Sequence, residues 1–286
     1  MTRAARFLPA VICLAALAQN FPEMKFERLA QGYRFTEGPA WSKDGYLVFS
    51  DTPSDRLLKW VPGNKVEVLR SDANGPAGNA FDAQGRLYTC ETRTRRVTRT
   101  DFKTGKVDVL ADKWDGKRLN APNGIVVSKT GNVYFTDPAF GDQSDRRELD
   151  FHGIYHIPIK GAMGLVAKSA GRPHGIAISP NGRTLYAANA DEKNVRAWDL
   201  DKNGEASNER VLISGIAGVP SGIAIDEKGN LWIAAAGYGI YSPDGKRIHL
   251  IEAHEPASAL AFGDADFKTL FIASRGTMLR ARPEAQ

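Results

Sequence analysis

A five-residue cassette recurs six times along this chain, and its spacing constrains the fold more than any other feature. Each copy opens on a variable residue followed by a small one, and four of the six continue in an apolar-small-apolar run. The copies read Glu37-Gly38-Pro39-Ala40-Trp41, Ala77-Gly78-Asn79-Ala80-Phe81, Asn123-Gly124-Ile125-Val126-Val127, His174-Gly175-Ile176-Ala177-Ile178, Ser221-Gly222-Ile223-Ala224-Ile225 and Ser258-Ala259-Leu260-Ala261-Phe262. Successive copies begin 40, 46, 51, 47 and 37 residues apart. A repeat of roughly 40–50 residues rich in strand formers is the size of one β-propeller blade. The first five copies run into glycine-containing turns such as Lys43-Asp44-Gly45 and Pro180-Asn181-Gly182, where glycine supplies the positive φ of a tight hairpin. Strands rich in β-branched and aromatic residues follow, among them Tyr46-Leu47-Val48-Phe49 and Leu231-Trp232-Ile233. The prediction is an all-β, six-bladed β-propeller forming a single domain over residues 19–286. Phe26 to Arg34, ahead of the first cassette, is expected to lend an outer strand to the last blade and so close the ring.

The N-terminus carries a separate signal. Arg3 and Arg6 precede an apolar run from Phe7 to Ala18 that ends in small residues, the pattern of a secretory signal peptide over residues 1–18. The run is short for a membrane span; the alternatives are an uncleaved anchor or a misassigned start codon. A soluble protein is therefore expected, secreted or periplasmic, without membrane association. Of the formal charge of +5, two positives belong to this leader. Arg93, Arg95, Arg96 and Arg99 alternate with Thr and Val as on a solvated strand face, and no nucleic-acid-reading motif accompanies them. Cys90 is alone after the leader, so it is expected to be a buried thiol rather than half of an intramolecular disulfide. A closed ring leaves no sheet edge to pair, which makes a monomer the expectation.

In a propeller the residue opening each cassette faces one mouth of the central channel. That column is Glu37, Ala77, Asn123, His174, Ser221 and Ser258. The glycine beside it has a structural reason, because inner strands crowd the channel and a residue without Cβ lets backbone approach backbone. The column itself mixes a carboxylate, an amide and an imidazole. Carboxylate and amide oxygens suit Ca²⁺, whereas an imidazole moves the preference toward Zn²⁺, Fe²⁺ or Mn²⁺. A buried Glu37 without a positive partner is costly, and a bound cation would be that partner.

Four longer motifs then stand out: Thr36-Glu37-Gly38-Pro39-Ala40-Trp41, Gly85 to Glu91 (GRLYTCE), Gly116 to Gly124 (GKRLNAPNG) and Tyr134 to Gly141 (YFTDPAFG). Together they resemble the SMP-30/gluconolactonase (regucalcin-like) family of six-bladed propellers over nearly the whole mature chain. The resemblance implies one divalent cation at the channel mouth and hydrolysis of sugar lactones or similar cyclic esters. It implies Glu37 and Asn123 as metal ligands. The family's further ligands, an Asn and an Asp, fall on His174 and Ser221 here, and the missing Asp is also the family's general base. Asp137 is then the first candidate for a replacement base, His174 the second and Glu91 a distant third. Arg118 and Asn120 fall where substrate-contacting groups are expected, and Glu91 is taken with them as a substrate-binding residue.

Each assignment has a structural alternative. Asp137, before Pro138, suits a turn cap; His174 suits a channel hydrogen bond without metal; Arg118 suits pairing with a neighbouring carboxylate. His152, His156, His249 and His254 lie outside the column and are expected at the surface or in turns. The competing function is a propeller that kept the scaffold and lost the chemistry, binding a small molecule or a protein, and Ser221 is the feature that favours it. A strictosidine-synthase-like activity is disfavoured by the retained Glu37. Loops from Pro138 to Phe151 and Ala190 to Asn194 are expected to set specificity over the mouth.

Overall fold

Six four-stranded antiparallel sheets follow one another around a central axis in the computed structural model. The structure describes residues 24–253 and 255–283; the expected leader and His254 lie outside the described residues. Blade 1 consists of Thr36–Ser42, Tyr46–Asp51, Arg56–Trp60 and Glu67–Arg70, from the axis outward. The next four blades begin at Pro76–Phe81, Ile125–Val127, Pro173–Ile178 and Ile223–Ile225. Blade 6 takes three strands from Ala259–Gly263, Thr269–Ser274 and Thr277–Ala281, and its outermost strand is Phe26–Gln31. The expected ring closure is therefore present, with Phe26 opposite Ala281 and Gln31 opposite Thr277.

The cassettes are the innermost strands, and the reason for their glycines is direct. A Cβ on Gly38 would lie 2.2 Å from the Ala77 carbonyl oxygen, and one on Gly78 would lie 2.2 Å from that of Asn123. Gly124 meets the His174 oxygen at 2.3 Å and Gly175 the Ser221 oxygen at 2.2 Å in the same way. Each glycine thus seats the next column residue's backbone, and Gly78 and Gly175 also donate to those carbonyls at 2.8 Å. Hydroxyls on the second strands tighten the ring further. Ser50 Oγ donates to the Ala77 carbonyl at 2.8 Å and Thr136 Oγ1 to that of His174 at 2.7 Å.

The apolar cassette positions pack between blades. Trp41 stacks on Phe271 of blade 6 with ring centroids 5.4 Å apart, and Phe49, Leu58 and Trp60 join Phe271 and Met278 in one cluster. Burying each such side chain contributes about 1.5–3 kcal/mol. Cys90 is fully buried in the seam between blades 2 and 3, as expected of a structural thiol.

Two expectations are corrected. The arginines of blade 2 are not a free solvated face: Arg93 pairs with Asp55, Arg96 with Glu91 and Arg99 with Asp108. Arg95 turns inward, and its Nε donates to the Leu119 carbonyl at 2.5 Å. His156, expected at the surface, is buried, stacked on Tyr134 and bonded through Nε2 to Asn132. It lies directly opposite Tyr134 on the neighbouring strand, and Tyr134 packs in the cluster that joins blades 3 and 4.

Candidate active site

Because every inner strand enters the channel in the same register, the opening residues of cassettes 1, 3 and 4 meet although they lie far apart in sequence. Glu37 Oε2 accepts from Asn123 Nδ2 at 3.3 Å, and Oε1 lies 3.8 Å from His174 Nε2. These residues line a channel cavity of about 400 Å³ together with Ser258. Glu37 is 7% exposed, and no Lys or Arg side chain pairs with it among the described residues.

That isolation governs the electrostatics. Desolvation by burial pushes Glu37 up to about 7, only partly opposed by the hydrogen bond from Asn123. Burial pushes His174 the other way, down to about 4; a hydrogen bond to the Ser221 backbone opposes this and the charge of Arg172 adds to it. The imidazole is therefore neutral near pH 7, with Nε2 facing the Glu37 carboxyl. A buried carboxyl without a cationic side chain, an amide and a neutral imidazole form a donor set that fits a divalent cation. The Asn123 amide presents its oxygen to the same point after a half-turn. Among the described residues, no group of three His, Cys, Asp or Glu side chains forms a metal site, so the fit depends on the amide.

Ser221 does not join the set. Its hydroxyl donates to the Ala257 carbonyl at 2.7 Å and to that of Ala234 at 3.3 Å, so it ties blade 5 to blade 6. Ser258 does the same one blade on, donating to the Thr36 carbonyl at 2.7 Å.

Asp137, the first candidate for the base, is spent elsewhere. It is 0% exposed, and its two carboxylate oxygens accept the backbone N–H groups of Asn120 and Ala121, each at 2.8 Å. Its pKa rises to about 7 through burial, against those two bonds and the charge of Arg95. The cause is positional. Asp51, Glu91, Asp137, Asn189 and Ser274 each end the second strand of a blade, and each anchors a neighbouring segment. Asp51 holds the amides of Arg34 and Phe35, and Asn189 those of Asp191 and Glu192. Glu91 is likewise buried beneath Arg70 and Arg96 and does not reach the column. The blade repeat, aligned at this second register, is the signal that would have reassigned both.

The expected substrate contacts are also spent on structure. Asn120 is buried and donates to the carbonyls of Asp137 and Phe151, while its Oδ1 has no partner. Arg118 is exposed on the short hairpin Lys113–Trp114/Lys117–Arg118, with Nη2 donating to the Thr94 carbonyl at 2.8 Å.

The loops over the mouth add residues the column argument missed. The Phe140 ring stands edge-on to His174 with centroids 5.2 Å apart, and the Arg172 guanidinium lies 4.9 Å above Phe140. Asp191 grips Arg172 by its backbone N–H at 2.8 Å and its Nε at 3.0 Å. Phe140 and Asp191 belong to the two loops expected to set specificity; Arg172, two residues before His174, had no separate signal.

Residues 35–276 match the model of the SMP-30/gluconolactonase/LRE-like region. The chain belongs to this family. It is 33% identical to a gluconolactonase of Zymomonas mobilis, over 90% of this chain and 80% of that one. It is 25% identical to a regucalcin of Xenopus laevis over 86% and 85% of the two chains. Among solved structures, a gluconolactonase from Xanthomonas campestris superposes with a TM-score of 0.86 at 31% identity, covering 94% of this chain and 93% of that one. A gluconolactonase-like propeller is thus the setting in which the column is to be read.

Proposed function

We propose that this protein is a cation-dependent hydrolase of sugar lactones that works at the mouth of its central channel. One observation carries the reading: a buried carboxyl, Glu37, without a cationic side-chain partner, faces Asn123 and His174 in a chain similar to gluconolactonases. Glu37, Asn123 and His174 are the residues that would hold a divalent cation. Such an ion supplies polarisation of a carbonyl oxygen and a lowered pKa for water. Ca²⁺ is the ion suggested by similarity to regucalcins, and His174 also suits Zn²⁺, Fe²⁺ or Mn²⁺.

The chain's own groups do the rest. The hydrolysis adds water across the ring ester: the water oxygen bonds the carbonyl carbon, the ring C–O bond breaks, and a proton ends on the released hydroxyl. With Asp137 locked onto two backbone amides, His174 Nε2, which burial holds neutral, is the group at the column that would accept the proton where Glu37 and Asn123 alone hold the cation; with Nε2 on the cation, the proton passes to solvent water. Phe140 and Arg172 form the wall beside it. The basic start and apolar run of residues 1–18 support export of the chain, which N-terminal sequencing of the mature protein tests.

The deciding experiment measures lactone hydrolysis and bound metal in the parent and in Glu37→Gln, before and after chelation. Activity that survives complete removal of metal would overturn the reading. A second reading, a binding module without catalysis, draws on Ser221, whose hydroxyl is turned onto the Ala257 carbonyl. It predicts ligand binding without turnover in the metal-loaded parent.

A further inference from the structure

The mouth carries a polar group that the column chemistry does not use. Arg172 is fixed from two sides: Asp191 accepts from its Nε at 3.1 and 3.0 Å and from its Nη2, while its guanidinium plane rests on Phe140. Its Nη1 makes no hydrogen bond among the described residues. The side chains of Arg172 and Asp191 remain 36% and 40% exposed, so the free nitrogen is open to solvent at the rim. The turn that presents Asp191 is itself built, since Asn189 Oδ1 accepts from the amides of Asp191 and Glu192 at 3.1 and 2.9 Å. Phe140 connects this clamp to the column, its ring meeting His174 edge-on.

We propose that Arg172 is a specificity-determining residue, whose free Nη1 donates to an exocyclic hydroxyl of a neutral, polyhydroxylated lactone lying beside Phe140. The inference rests on the lactonase reading for the reaction but not for the binding. Two physical features favour that ligand. A guanidinium already paired with a carboxylate presents directed donors without net charge, which suits neutral oxygens over anions. An aromatic wall next to it offers the apolar C–H edge of a sugar ring a dry surface. Asp191 is a positioning residue: it holds the fork that Arg172 presents.

The test compares the parent, Arg172→Leu and Arg172→Lys on glucono-δ-lactone and on δ-valerolactone, which has the same ring without hydroxyls. The expected result is a KM for glucono-δ-lactone raised about ten-fold in both variants, the value of one lost hydrogen bond, with kcat little changed. Hydrolysis of δ-valerolactone should change much less than that. A fall of equal size on both lactones would mean that Arg172 acts only by propping Phe140 and His174, and would overturn the proposal. If the parent hydrolyses neither lactone, the hydrolase reading fails and the subsite is judged by NMR titration with anhydroglucitol, which carries the same ring hydroxyls. Binding by the parent that Arg172→Leu abolishes supports the subsite without the reaction. No binding by the parent, or equal binding by both, overturns it.

Discussion

His174 Nε2 stands 3.8 Å from Glu37 Oε1, and near neutral pH this is not an ion pair. Burial moves the two groups in opposite directions, the carboxyl up to about 7 and the imidazole down to about 4. Between those values both side chains are predominantly neutral, which is the cheapest state for two groups taken out of water together.

Cation binding should therefore release a proton. Below about pH 7 the Glu37 carboxyl holds a proton in the metal-free protein that a cation must displace. Apparent affinity is expected to rise with pH up to that point and to level off above it. Calorimetric titrations in buffers of different ionisation enthalpy report the proton count directly; a pH-independent affinity would remove Glu37 from the ligand set.

The same shift makes a stability prediction for the metal-free protein. A carboxyl whose folded pKa lies above its unfolded value stabilises the fold at low pH, and that contribution is lost as pH rises through the folded pKa. For Glu37 the window runs from 4.5 to about 7. Glu37→Gln should match the parent near pH 4 and exceed it at pH 8 by on the order of 3 kcal/mol. His174 titrates with the opposite sign over 6.5 to about 4, but it is common to both proteins and cancels in the comparison. Denaturant unfolding with chelator present measures the difference.

Asp137→Asn separates a structural acid from a catalytic one. The amide replaces one acceptor with a donor against the backbone N–H of Asn120 or Ala121. A loss of about 1–3 kcal/mol in stability is expected, with bound metal retained. Unchanged stability together with abolished turnover would return Asp137 to the role of base.

Gly175→Ala tests the ring of cassettes. The new methyl would lie 2.2 Å from the Ser221 carbonyl oxygen and disturb the 2.8 Å bond from the Gly175 amide. Overpacking against backbone is expected to cost about 3 kcal/mol or more. Gly164→Ala, at a site with nothing within 4 Å, should change stability by under about 1 kcal/mol. Thermal melts of the two variants side by side give the contrast.

Ser221→Asp tests whether a second carboxylate at the fifth cassette strengthens cation binding. The hydroxyl bond to the Ala257 carbonyl at 2.7 Å disappears, and a second carboxylate is added to the column. The metal-free protein should be destabilised by about 1–2 kcal/mol, while cation affinity rises about ten-fold or more because a charged oxygen ligand is added. Metal titration followed by melting of the loaded and stripped forms checks both halves.

The cassettes made the ring legible because a backbone constraint repeated in it. Gly38, Gly78, Gly124 and Gly175 mark the same close approach four times, and periodicity of that kind survives in a linear string. The outer-strand closure by Phe26–Gln31 was readable for a similar reason, since the last repeat is one strand short within its own segment. Column membership followed, and it brought Glu37, Asn123 and His174 to one place.

The second register was harder. Asp137 and Glu91 resemble catalytic acids in sequence, yet each closes a second strand and turns to backbone amides or arginines. Asn120 and Arg118 are placed near the mouth by their motif, but their side chains donate to backbone carbonyls of Asp137, Phe151 and Thr94. Side-chain direction at a strand end depends on the neighbouring loop, which has no period to read.

By itself, then, the sequence determined the number of blades, the closure of the ring and which residues open each inner strand, because these follow from spacing and from where glycine must replace a Cβ. Only the tertiary structure decided that Ser221 is tied to Ala257, that Asp137 is an anchor, and that Arg172 lies on Phe140 beside His174. Those facts depend on contacts between loops of different blades, and a one-dimensional pattern carries no term for them.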